Sequence, residues 1–163
     1  MTTLIETLAG VPPGSKLGQA LKTRAEILRL SEAAHDAVLL PREPGGLSHA
    51  LRAALAARMC RHVGDAALTA HYDSYLAHSG DQDVSSLAHP GGTCGDPLQN
   101  AMARHADLLT LAPREATRAD IEALTAAGLG EADIVRLSEL AAFVNYQLRV
   151  VTGLKLLKQV EVQ

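Results

Sequence analysis

The sequence predicts an all-α domain of about six helices, and three observations carry that expectation. Ala and Leu dominate a composition that is 47% hydrophobic but only 2% aromatic. Ile, Val and Thr never form the alternating runs of a half-buried strand. Apolar residues recur instead at helical spacing, divided by Pro, Gly and capping residues. With 163 residues the chain, 1–163, is read as one domain with one core, large enough to need neither disulfides nor a structural metal.

After a short apolar opening at Leu4 to Leu8, Val11-Pro12-Pro13-Gly14 breaks the chain and Ser15 caps a long helix predicted from about Lys16 to Leu39. Pro41, Pro44, Gly45 and Gly46 end it. Ser48 caps a second helix through Leu51, Ala54, Leu55 and Met59 to about His62, whose alanines imply close packing. Gly64 permits a tight reversal, and Asp65 caps a third helix carrying Leu68, His71, Tyr72, Tyr75 and His78. The Gly-, Ser-, Asp- and Pro-rich stretch 79–95 cannot sustain helical hydrogen bonding and reads as a long loop, either a lid or a connection.

Helical pattern resumes near Leu98, runs through Met102, His105, Leu108 and Leu109, and stops before Pro113. Thr117 to Asp120 is a capping box, and Gly128 closes the short helix that follows. In the last helix Glu131 and Asp133 suit the positive start, and Lys155 and Lys158 the negative end. It carries one apolar row at Ile134, Leu137, Ala141, Val144, Leu148 and Val151 and a second at Leu140, Phe143, Val150, Leu154 and Leu157. A helix apolar on two sides is buried in a core or shared between subunits, which predicts a homo-oligomer.

Fifteen Lys and Arg against eighteen Asp and Glu give a net charge of -3 with no basic block, so no nucleic-acid partner is expected. The first residues lack the basic start and apolar stretch of a secretion signal. No segment has the eighteen consecutive apolar residues of a membrane span, so the expected location is cytoplasmic.

None of the seven histidines forms His-x-x-x-His or His-Glu-x-x-His, so no metal and no cofactor are expected. His71, Tyr72 and Asp65, with Tyr75, place an imidazole, phenols and a carboxylate on one helix, a set capable of proton transfer near neutral pH. His71, Tyr75 and His78 share a stripe, whereas Asp65 is also explained as a cap, and His71 and Tyr75 as amphipathic residues at a packing boundary. Asn145 and Arg149, four apart in an apolar helix, are candidates to bind a small organic anion or to fix helix register. His105, beside Arg104, is expected at the surface. Cys60 reads as a small core residue inside a helix, and Cys94 lies in the loop.

Gly45-Gly46-Leu47-Ser48 opening an Ala-rich helix, Gly64 before a His-containing helix, LIETLAGVPPGS at 4–15 and ALTAAGLGEADIVRLSELAAFVNYQLRVVTGL at 123–154 together resemble the alkylhydroperoxidase D-like, or carboxymuconolactone decarboxylase (CMD) domain, family. The likeness covers most of the chain and implies that family's helical fold, a dimer, trimer or hexamer, and a link to antioxidant peroxidase activity. Peroxidase-active relatives carry a Glu, eleven residues, Cys-x-x-Cys and a His four residues on. In this sequence those columns hold Ala53, Asp65, Leu68 and Tyr72. Two thiols three apart at a helix start lie within disulfide range and have a lowered pKa, and Asp65 and Leu68 supply neither property. Cys60 and Cys94, thirty-four positions apart, form a redox pair only if the loop folds back. Three functions follow: a divergent peroxidase-related protein without the dithiol relay, a proton-transfer enzyme on a small organic acid with Arg149 orienting a carboxylate, or a non-catalytic oligomeric scaffold.

Overall fold

A computed structural model describes residues 2–161. It contains helices α1 (Leu4–Ala9), α2 (Lys16–Lys22), α3 (Ala25–Leu39), α4 (His49–Val63), α5 (Ala66–Ser79), α6 (Pro97–Leu111), α7 (Arg118–Ala126) and α8 (Glu131–Glu161), with short 3-10 turns at Ser85–Ala88 and Pro113–Glu115. The all-α expectation holds, with eight helices rather than about six.

One extra helix is the apolar opening. The Glu6 carboxylate accepts from the Thr3 N–H and hydroxyl at 2.8 and 2.7 Å, and Gly10 ends the helix at φ 64°. The other comes from a break in the expected Lys16–Leu39 helix. Thr23 and Arg24 donate to the carbonyls three residues back, Ala20 and Leu21, and Arg24 leaves helical geometry at φ -115°, ψ 19°. The Thr23 hydroxyl donates to the same Ala20 carbonyl at 2.8 Å, a local bond that competes with the helical ladder. The remaining caps are where the sequence places them: Ser15, Ser48 and Asp65 accept from Gly18, Leu51 and Leu68. The Asp120 carboxylate accepts from the Thr117 N–H and hydroxyl.

Helix α4 is the centre of the fold. It is buried from Ala50 to Cys60 and packs against α5, α6 and α8, and its alanines let those helices approach closely. Two arginines share this buried stretch. Arg52 donates to the Leu47, Val38 and Pro44 carbonyls and ties down the turn before α4. Arg58 forms a bidentate pair with Asp107 of α6 at 2.6 and 2.7 Å and donates to the Leu87, His89 and Gly92 carbonyls.

Those bonds settle the character of the 79–95 stretch, which is a connection strapped across α4 rather than a free lid. Val84, Leu87 and Ala88 are buried beneath it, and Arg61 adds a bond to the Ala88 carbonyl. Gly92 lies so close to the Ser86 carbonyl that no Cβ could be accommodated.

The first apolar row of α8 is buried from Ile134 to Val151. The second is buried at Leu140, Phe143 and Leu154, half-buried at Val150 and exposed at Leu157, where the helix runs past the core. No helix among the described residues is long and apolar enough to cross a membrane.

Candidate functional site

The most reactive arrangement lies on α5 where it faces α3. A hollow of about 620 Å³ is lined by Leu40, His49, His71, Ser74, Tyr75 and His78. Behind the lining His71 stands a second imidazole: His71 Nε2 and His35 Nε2 are 2.9 Å apart, and His35 is buried. Around it, the His71 ring sits edge-on to Tyr72 and Tyr75, with centroids 5.1 and 5.2 Å away.

The hydrogen bonds assign the protons. His35 Nδ1 lies 3.0 Å from the Asp36 carboxylate, which can only accept, so this nitrogen carries a hydrogen. In the neutral pair His35 Nε2 then accepts from His71 Nε2–H, which leaves the lone pair of His71 on Nδ1. Every buried side-chain nitrogen and oxygen among the described residues has a hydrogen-bond partner, and His71 Nδ1 has none. Nδ1 is therefore wet. Burial, and then the neighbouring His35, push the His71 pKa down to about 4, so the ring is a neutral base at pH 7.

The other sequence candidates are distributed differently. Tyr72 turns inward and donates to Gln147 Oε1 at 2.5 Å, with both side chains buried, and burial raises its phenol well above its usual range. Asp65 is a cap and an ion pair, accepting from Leu68 N–H at 3.0 Å and Lys155 Nζ at 2.6 Å. Burial alone would raise its carboxyl, but Lys155 and the helix-start N–H groups hold it below its ordinary value. Of the four residues grouped on α5, only His71 and Tyr75 line the hollow.

Asn145 and Arg149 do share a face, yet the two hollows they line, one with His105 and one with Val63 and Leu156, share no residue with the His71 hollow. Arg149 and His71 therefore line different hollows. His105 is buried rather than at the surface, because α6 turns it towards the space shared with α7 and α8. His35 and His49 went unnoticed in the sequence, although Leu28, Ser31, His35 and Leu39 follow the helical stripe that marks the inner face of α3. Among the described residues no three His, Cys, Asp or Glu side chains are arranged to hold a metal ion.

Solved structures resemble this chain, two of them as follows. A peroxidase-related protein from Silicibacter sp. TM1040 is 26% identical at a TM-score of 0.66, over 79% of this chain and 68% of that one. The alkylhydroperoxidase AhpD core of a peroxidase-related protein from Ralstonia eutropha JMP134 is 22% identical at a TM-score of 0.52, over 90% and 85%. The chain has the alkylhydroperoxidase D-like fold. No family model matches it, and neither does any curated protein.

In this alkylhydroperoxidase D-like fold the positions where the resemblance places the dithiol site are filled with packing residues. Ala53, Leu68 and Tyr72 are buried, and Asp65 caps α5. Cys60 lies wholly inside α4, where burial and then the Asp65 charge push its thiol well up. Cys94 is half-buried in the connecting loop, its Sγ directed at Gln99 Oε1 and the Asp96 carbonyl, and both thiols are free.

Proposed function

We propose that this chain is a divergent relative of the peroxidase-related alkylhydroperoxidase D-like proteins that works without a dithiol relay. It transfers protons on a small organic acid, with His71 as the base and then the acid. One observation carries the reading: a neutral imidazole whose Nδ1 lone pair opens onto a hollow while its Nε2–H is held by a buried partner. This is the geometry of an oriented general base, in which one ring nitrogen is fixed so that the other can react. His35 and Asp36 act as positioning residues behind it. A developing positive charge on His71 is relayed through His35 towards the exposed Asp36.

The thiols support the same conclusion from the other side. Peroxide reduction by cysteine needs a thiolate that peroxide can reach. Cys60 is fully buried with a raised pKa, and Cys94 forms no disulfide. The protein also assembles as a homo-oligomer in this proposal, through the apolar residues that α8 leaves exposed.

Proton exchange is the direct test. In D2O, NMR of a panel of 2-oxo and 3-oxo acids should show deuterium entering the carbon next to the carbonyl. His71→Gln should slow that exchange by about 10²–10⁴-fold. Exchange at equal rates in His71→Gln would remove His71 from the chemistry. Consumption of cumene hydroperoxide with dithiothreitol should stay at background in the wild type. Turnover that disappears in Cys60→Ser or Cys94→Ser would restore a thiol mechanism.

A further inference from the structure

We propose that a second hollow, where α6, the turn at Pro113–Glu115, α7 and α8 meet, is a binding site for a small monocarboxylate with an apolar body. The hollow measures about 520 Å³, within the range of small-molecule sites, and shares no lining residue with the His71 cleft. Leu109, Pro113, Ile121, Ala141 and Ala142 supply apolar walls. The polar groups among them, His105, Asn145 and Arg149, are few, and they are incompletely used by the protein.

His105 is only 6% exposed, yet neither ring nitrogen makes a hydrogen bond. Because every buried side-chain nitrogen and oxygen among the described residues is partnered, those nitrogens must open onto the two hollows that the ring lines, this one and its neighbour between α6 and α7. Burial lowers the His105 pKa, so the ring is neutral at pH 7 and can donate from one nitrogen. Asn145, 9% exposed, spends its Nδ2 on the Ala141 and Leu109 carbonyls at 3.0 and 3.4 Å. The Arg149 guanidinium makes one long bond, 3.4 Å, to the Asn145 carbonyl and has no carboxylate within ion-pair distance among the described residues.

The charge count selects the ligand. A single unpaired guanidinium beside a neutral imidazole matches one negative charge, and a planar guanidinium fits a carboxylate by two parallel bonds. A phosphate dianion would need a further cation that this hollow does not have. Asp120, the acidic group whose field reaches His105, is tied to the Thr117 N–H and hydroxyl and does not line the hollow. The apolar walls call for a ring or a medium-length chain behind the carboxylate.

Calorimetric titration of the full chain with octanoate, and with octanol as its uncharged counterpart, tests this at neutral pH. Octanoate should bind at one saturable site, and octanol at least about tenfold more weakly. Arg149→Gln should weaken octanoate by about tenfold or more, and Arg149→Lys should recover part of that loss. Ala142→Phe, an exposed position on the rim, should fill the hollow and abolish octanoate binding with the charge intact. In NMR spectra the His105 ring resonances should move on octanoate addition while those of His71 stay in place. No binding below about 10 mM overturns the proposal. So does equal affinity in Arg149→Gln, or movement of His71 in place of His105.

Discussion

His71 binds its proton later than an exposed histidine does, because burial and the His35 ring hold its pKa at about 4 instead of 6.5. As pH falls through 6.5, the unfolded chain takes up a proton here that the folded chain still refuses. Stability from this site is therefore complete above pH 6.5 and declines between 6.5 and about 4. His105, lowered by burial, adds in the same direction, whereas Asp65, held below its ordinary 3.8, loses its contribution only at lower pH. Urea midpoints followed from neutral pH down towards the His71 pKa should drop, and the drop should be shallower in His71→Gln. Parallel curves for the two proteins would contradict the assignment. Tyr72 gives a second test at this scale. Tyr72→Phe leaves the buried Gln147 Oε1 without its 2.5 Å donor and should cost about 1–3 kcal/mol in urea unfolding, with less additional loss on a Gln147→Leu background. These residues also show what a sequence reveals. Asp65 was readable as a cap because its partner, Leu68, is three residues away. The His35–His71 pair joins positions 36 apart, and no local pattern marks which imidazole meets which.

Elements repeat that division. Capping residues announced the starts of α2, α4, α5 and α7 because an unpaired helix-end N–H finds its acceptor within a turn of the chain. The break between α2 and α3 carries no Pro or Gly, and its i−3 bonds at Thr23 and Arg24 are legible only in three dimensions. The 79–95 connection contains no α-helix beyond the end of α5 at Ser79, only the 3-10 turn at Ser85–Ala88, and what holds it comes from α4 and α6. Arg58 reaches carbonyls 29 to 34 positions away and a carboxylate 49 away, and His62 shares that carboxylate at 2.7 Å. Arg58→Met would leave Asp107 half-paired and free three loop carbonyls at once. A loss of about 3–5 kcal/mol in unfolding free energy is expected, as for other broken buried ion pairs. Amide hydrogen exchange should localise the effect, with protection falling first around Val84–Ala88 while α4 and α8 stay protected. Unchanged protection in that segment would show that its buried apolar residues alone hold it in place.

At the scale of the molecule, α4 and α8 divide the labour. From Ala50 to Cys60 α4 is covered by its own chain, whereas α8, about 46 Å long at thirty-one residues, extends beyond the core it fills. Its final turns leave Leu156, Leu157 and Val160 at 58%, 55% and 71% exposure, and Leu156 and Val63, which is 52% exposed, line one hollow between α4 and α8. Each such side chain forgoes about 25 cal/mol for every Å² of apolar surface left in water, and clustering makes the shortfall recoverable by a second copy. A self-complementary contact is the economical arrangement for a chain of this size with a net charge of only -3, where self-repulsion is weak. Sedimentation velocity should accordingly give a species larger than one chain. The double variant Leu156→Glu, Val160→Glu places four charges in each twofold contact and should shift that species to the monomer, with the far-UV circular dichroism unchanged because both positions face water in the single chain. A wild-type protein that sediments as a monomer at every concentration would remove the oligomer. A variant that stays assembled would move the contact to the Ile27 and Leu30 face of α3, where two further leucine-sized side chains lie 51% exposed one helical turn apart.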